Sequence, residues 1–418
     1  MEKYLTTTKP LTGRIKQRYS DFIVEEVLED GYVCKATHYV DGAIKNFERI
    51  KIPENTENFE HLIIELEKVN TDTNLAIALL ARGLGLGKTR FGYAGLKDKR
   101  AITCQMISIY QPDVARMEKF GVKGLKTRNP KWSSKRIELG ELKGNNFTIT
   151  LRGVEKSEEE AKRIVEEFAE QVKVGLPNYF GNQRFGGLRQ VTHRVGKLLL
   201  QGKFEEGVML YLTETYEGEK EDLKNARINL AKTMDFSKAM KEFPSRDARA
   251  ELAMLNHLVK EPRDFAGAFQ ELPKKMRYLF THAYQSYLFN KIIDKRFEVF
   301  GKDALKIQEG DVLENGEPTA LLSGFESSFP EGKIGEIEKQ VLEKEGFTLK
   351  DFEVKGVSEL SSKGTRKSIV LKPENFVFVG SGKDEFNEGK NFVKIQFFLS
   401  KGNYATTVIR ELMKEEIF

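Results

Sequence analysis

The stretch Gly92-Tyr93-Ala94-Gly95-Leu96-Lys97-Asp98-Lys99-Arg100-Ala101-Ile102-Thr103-Cys104-Gln105 sets one carboxylate, Asp98, among three cations, Lys97, Lys99 and Arg100. Opposite charge nearby favours the ionised form of a carboxylate, which is the form a nucleophile or general base needs. The same cations would hold phosphate groups. On local composition alone, the commoner reading is a solvated charged turn at a strand entrance.

Elements on both sides must position that carboxylate. The glycine-containing run before Asp98 reads as a tight loop, and Ile102, Cys104, Met106 and Ile109 among polar neighbours read as a strand. Strand patterns also cover 22–28, 32–39, 61–66 and 147–151. A helix is expected over 74–82, with Leu75, Ala78, Leu79 and Arg82 at helical spacing, a cap among Thr71, Asp72 and Thr73, and a stop at Gly83. Ser157 and Glu160 have capping-box spacing and open a helix to about residue 172. From about 201 to 362 helical patterns dominate, including 274–297 and 334–344. Strands return over 366–371 and 391–399, and a last helix over 404–415 carries Val408, Ile409, Leu412 and Met413 on one face. The expected class is α+β: a strand-rich core of 1–200 and 363–418, interrupted by a mainly helical insertion of 201–362.

Composition narrows the function. The chain has 418 residues, 39 % hydrophobic, enough for a packed core. Charged residues reach 31 %, with a net charge of +5, a mild bias toward polyanions. Basic residues gather in three runs: Lys88 to Arg100, Lys123 to Arg136, and Arg184 to Lys197. Cys34 and Cys104 are too few for a disulfide framework or a zinc site, and the five histidines show no metal-ligand spacing. The N-terminal stretch lacks a signal-peptide core and no apolar run approaches ~18 residues, so a soluble cytoplasmic protein without membrane contact is expected. The run Gly83-Leu84-Gly85-Leu86-Gly87-Lys88-Thr89 imitates a phosphate loop, but Arg82 and Lys88 stand where the two nucleotide motifs require glycine. No nucleotide cofactor is expected.

The Asp98 stretch closely resembles a signature of the tRNA pseudouridine synthase D (TruD) family. Pro177-Asn178-Tyr179-Phe180-Gly181-Asn182-Gln183-Arg184-Phe185-Gly186 is similar to the family's second signature, and Lys401-Gly402-Asn403-Tyr404-Ala405-Thr406-Thr407-Val408-Ile409-Arg410-Glu411-Leu412 to its C-terminal one. The resemblance implies a pseudouridine-synthase core with a mixed central sheet plus a TruD-type insertion domain. It implies an isomerase that converts uridine to pseudouridine at position 13 of tRNA, with no metal and no cofactor. By the same resemblance Asp98 is the catalytic residue, and Phe22, Asn178, Tyr404 and Lys16 are substrate-binding. Tyr404 occupies a position where other members can carry Phe.

Two function classes are weighed: this isomerase, and a non-catalytic RNA-binding or RNA-folding protein that uses the basic runs. An anion facing phosphates gives a pure binder nothing, which favours the enzyme. Oligomeric state is not readable from the chain.

Overall fold

The computed structural model describes residues 4–37, 39–40, 43–44 and 49–415. The chain forms two compact units, one of 4–175 with 372–415 and one of 176–371. The helical stretch expected over 201–362 lies within the second, whose edges reach further on both sides.

The first unit is built on an eight-stranded mixed sheet. Its strands are β1 (Phe22–Val27), β2 (His61–Val69), β3 (Phe91–Tyr93), β4 (Ile102–Tyr110), β5 (Leu125–Ser133), β6 (Gly144–Val154), β7 (Glu374–Lys383) and β8 (Asn391–Ser400). Their order is β7-β8-β6-β1-β4-β2-β5, with β3 also paired to β4. The β1–β4 pair is parallel, with Ile23 opposite Ile102, and the other pairs are antiparallel. Period-2 alternation sends Phe22, Val24 and Glu26 to one face, all buried.

That face is covered by helices. Leu62, Ile64, Leu66, Ile107 and Ile109 pack against Ala76, Ile77, Leu80, Ala81 and Leu84 of α1 (Thr73–Leu84). An aromatic chain crosses the sheet: Phe22, Phe147, Phe397 and Phe376 follow one another at ring-centroid distances of 6.0, 5.5 and 5.2 Å, and Phe376 meets Phe168 of α2 (Glu158–Gln171) at 5.1 Å. The last helix, α3 (Ala405–Met413), buries Val408, Ile409, Leu412 and Met413 as its pattern predicts. It also ties the ends of the unit together: Thr6 N–H donates to Glu411 Oε1 at 2.7 Å, 405 positions away, and Leu11 N–H to Leu412 O at 3.2 Å.

Three local expectations need correction. α1 is capped by Asp72, one of the three expected candidates, whose carboxylate accepts from Leu75 N–H, but it ends at Gly85 (φ 68°) rather than Gly83. Its buried face carries Ala76, Ile77, Leu80, Ala81 and Leu84, while Leu75 is exposed, because the sheet selects the more apolar stripe. Residues 32–37 form no strand: Val33 makes an isolated bridge to Val27 and Cys34 N–H donates to Glu26 O. Of that expected strand, His38 lies outside the described residues.

The second unit is mainly helical. The 27-residue helix Lys274–Phe300 runs through it, and two apolar clusters among the described residues pack on that helix. A small antiparallel sheet joins Leu313–Glu314, Glu317–Leu322 and Thr365–Ser368, and Val370–Leu371 pairs with Leu176–Pro177. Among the described residues no helix is long and apolar enough to cross a membrane.

Candidate active site

Asp98 sits on the eight-residue loop between β3 and β4. A buried polar scaffold underlies that loop. Lys97 N–H donates to Thr73 Oγ1 (3.0 Å), Thr73 Oγ1 to Gln105 Oε1 (2.9 Å), and Gln105 Nε2 to Gly95 O (3.0 Å). The Lys97 side chain turns inward rather than to solvent. Its ammonium lies 2.7 Å from Glu26 Oε2 and donates to Asn145 Oδ1 at 2.6 Å. Lys97 therefore does not serve as a phosphate-holding cation, since a buried ammonium must find a carboxylate or carbonyl partner. Lys99 and Arg100 are exposed and keep that option.

Asp98 projects from this base with its side chain 39 % exposed. Lys16 Nζ donates to Asp98 Oδ1 at 3.2 Å and stands 4.0 Å from the centroid of the Phe22 ring. The ammonium is thus shared between a carboxylate and an aromatic face, two attractions that both require its charge. Lys16 has a φ of 59°, in the left-handed region that costs a residue with a Cβ about 1–2 kcal/mol. Such strain persists where the surroundings over-determine the residue, and it clusters at working sites. Asp98 Oδ2 has no hydrogen-bond partner among the described residues, so one carboxylate oxygen is anchored and the other is open.

The structure thus brings Lys16, Phe22 and Asp98 together. Phe22 is almost wholly buried, with its ring edge-on to Phe147, so it supports Lys16 from beneath. Tyr404 stands at the residue before α3, 44 % exposed. Its segment is linked to the Asp98 loop by two hydrogen bonds through Gly140: Lys401 Nζ donates to Gly140 O (2.9 Å), and Gly140 N–H to Ala94 O (2.8 Å).

Asn178 belongs to the 176–371 unit and is buried there. Its N–H donates to Ile369 O (2.8 Å) and its Nδ2 to Ser368 O (3.0 Å), while its buried Oδ1 has no partner among the described residues. In the same signature Tyr179 Oη donates to Asp294 (2.7 Å), Arg184 Nε donates to Ser286 Oγ (2.9 Å), and Gly186 has a φ of 105°. Gly181 has an ordinary negative φ and needs no such freedom.

Sequence reasoning missed Glu26, Asn145, Thr73 and Gln105, which build the floor. The available signal was polar residues at the inward positions of strands that otherwise read as apolar: Glu26 on β1 and Gln105 on β4.

The family model for tRNA pseudouridine synthase D (TruD) matches residues 1–317 and 312–412. A protein of Methanosarcina acetivorans named "Probable tRNA pseudouridine synthase D" is 38 % identical over 98 % of this chain and 95 % of its own. A protein of Thermococcus sibiricus with the same name is 34 % identical over 99 % and 97 %. A crystal structure of a Methanosarcina mazei chain carrying the name tRNA pseudouridine synthase D (TruD) superposes with a TM-score of 0.78 at 36 % identity, covering 100 % of this chain and 97 % of that one. Matched by family model, near-full-length relatives and a solved fold alike, this chain belongs to the tRNA pseudouridine synthase D (TruD) family.

Proposed function

We propose that this protein is a tRNA pseudouridine synthase that isomerises uridine at position 13 of tRNA, with Asp98 as the reacting carboxylate. The observation that carries the reading is the placement of Asp98: a half-exposed carboxylate on a braced loop, with Oδ1 held by Lys16 at 3.2 Å and Oδ2 open.

The chemistry follows from that geometry. The target base leaves its stack, at a cost of a few kcal/mol recovered by contacts in the pocket. Asp98 then acts in one of two ways. It attacks ribose C1′ and displaces uracil through N1, or it removes the proton at C2′ to form a glycal as uracil departs. In the first path the uracil turns and C5 bonds to C1′ as the Asp98–C1′ ester bond breaks. In the second, C5 bonds to C1′ as Asp98 returns its proton to C2′. In both, C5 then loses its proton and N1 gains one. The product is an isomer of the substrate, so no redox partner or nucleotide is consumed. Lys16 orients the carboxylate, and Phe22 holds Lys16. Tyr404 offers an exposed ring on which an unstacked base can rest. The unpartnered Oδ1 of Asn178 supports its assignment to substrate binding. Residues 201–362 are assigned to the TruD-type insertion, and the protein works in the cytoplasm on tRNA.

The test is to incubate unmodified tRNA transcripts with purified protein and no cofactor, then map pseudouridine by carbodiimide-based primer extension. A new stop at position 13, absent with Asp98→Asn, is expected. Stops elsewhere would move the substrate assignment. RNA binding without any stop would favour the non-catalytic binder.

A further inference from the structure

Lys68 lies near the end of β2, flanked by Thr103 on β4 and Leu125 on β5, and is fully buried. Among the described residues it forms no ion pair. Its ammonium is met by main-chain carbonyls instead: Thr71 O at 2.6 Å, Asp98 O at 3.1 Å and Lys97 O at 3.5 Å. An ammonium has three donors and no acceptor, so three carbonyls satisfy it. A buried cation without a carboxylate is nevertheless a costly way to join a strand to a loop, because desolvation penalises the charge. The two carbonyls it takes from the loop flank the Asp98 α-carbon. Asp98 is therefore gripped twice, by Lys16 on its carboxylate and by Lys68 on its backbone.

We propose that Lys68 is a positioning residue for Asp98: its buried ammonium pins the Lys97 and Asp98 carbonyls so that the carboxylate meets the target ribose in a reactive geometry. The inference rests on the reading of Asp98 as the reacting group. It goes beyond that reading in assigning the task to a residue outside all three family-like motifs.

The charge environment gives the clamp a pH signature. Burial pulls Lys68 down to about 8, and the Asp98 and Asp72 carboxylates oppose that shift while the Lys97 ammonium adds to it. These are the charged groups facing it from the loop and from the α1 cap. Lys97 is itself neutralised by Glu26, and Asp72 is engaged by Leu75 N–H. As pH rises through about 8 the ammonium loses a proton, and with it a donor and its attraction for Asp98.

The test is single-turnover pseudouridine formation on a tRNA transcript at saturating enzyme. Lys68→Met, of similar length but without a donor, is expected to lower the rate about 10- to 100-fold, as a displacement near 1 Å does, with tRNA affinity unchanged. Lys68→Gln, which can still donate to one carbonyl, should recover part of the rate. The wild-type rate should fall above about pH 8, and Lys68→Met should lack that fall. A Lys68→Met rate equal to wild type, with Asp98→Asn inactive, overturns the clamp and leaves Asp98 standing. An active Asp98→Asn overturns the underlying reading instead. If Lys68→Met does not fold, Lys68→Gln decides: a folded Lys68→Gln with the full wild-type rate refutes the clamp.

Discussion

The Lys97 ammonium lies 2.7 Å from Glu26 Oε2, with side-chain exposures of 3 % and 0 %, one residue before Asp98. Breaking a buried pair by removing one partner strands the other charge, which typically costs 3–5 kcal/mol. Glu26 also accepts from Met106 N–H at 3.0 Å. Glu26→Ala should therefore lower the unfolding free energy of the sheet unit by roughly 3–5 kcal/mol in urea titrations. A loss below about 1 kcal/mol, the range of an exposed pair, would mean that the floor of the loop does not depend on this contact.

Lys16 should behave in the opposite way. Its partner Asp98 is substantially exposed, so the pair contributes at most about 1 kcal/mol to stability. Lys16→Met is expected to leave the thermal midpoint nearly unchanged and to reduce pseudouridine formation on the order of 100-fold, as losing a charged group beside a reacting centre does. Equal turnover by the two proteins would remove Lys16 from the site.

His193 gives an acid limb to stability. Its ring stacks on Tyr287 at 5.0 Å and meets Phe185 edge-on at 5.1 Å, and its buried Nδ1 has no partner among the described residues. Burial, with Arg194 nearby, pulls it from 6.5 to about 4. Between those values the unfolded chain carries a proton that the folded one refuses. Stability is therefore fully present above 6.5 and declines as pH falls toward about 4, by at most about 3 kcal/mol. Urea midpoints for His193→Phe should be flatter across that window; a slope identical to wild type refutes the assignment.

Asn178 offers a charge test inside its own unit. Its Nδ2 donates to Ser368 O, a role a carboxylate cannot fill. Asn178→Asp should cost roughly 1–3 kcal/mol through a buried, unsatisfied acceptor pair. Unchanged denaturation of that variant would show the staple to be unimportant.

The legible parts of this protein are those whose signal is local. The α3 stripe was readable because Val408, Ile409, Leu412 and Met413 repeat at helical spacing. Asp98 was readable only through three motifs far apart in the chain, and the Lys16 contact beside it depends on a backbone with positive φ that no spacing encodes. Lys97 looked like a surface cation, because the Glu26 and Asn145 that draw it inward lie on strands remote in sequence. The Lys123–Arg136 run misled in the same way. Arg128 on β5 pairs with Glu65 at 2.5 Å and Glu67 at 2.9 Å, so a run that read as a polyanion surface partly fastens the sheet. Arg189 and Arg194 in the third run likewise meet Glu251 and Glu214.

The bonds from Thr6 and Leu11 to Glu411 and Leu412 set a timetable as well as a shape. A ribosome delivers the strands around Asp98 early, but β8, the neighbour of β6, comes only after the whole 176–371 unit. Until then β6 has an unclosed edge of the kind that recruits foreign strands, and closing so long a loop is slow. That edge therefore stays unpaired while residues 155–390 are made, so the order of synthesis leaves this sheet open for longer than any strand-to-strand step inside it.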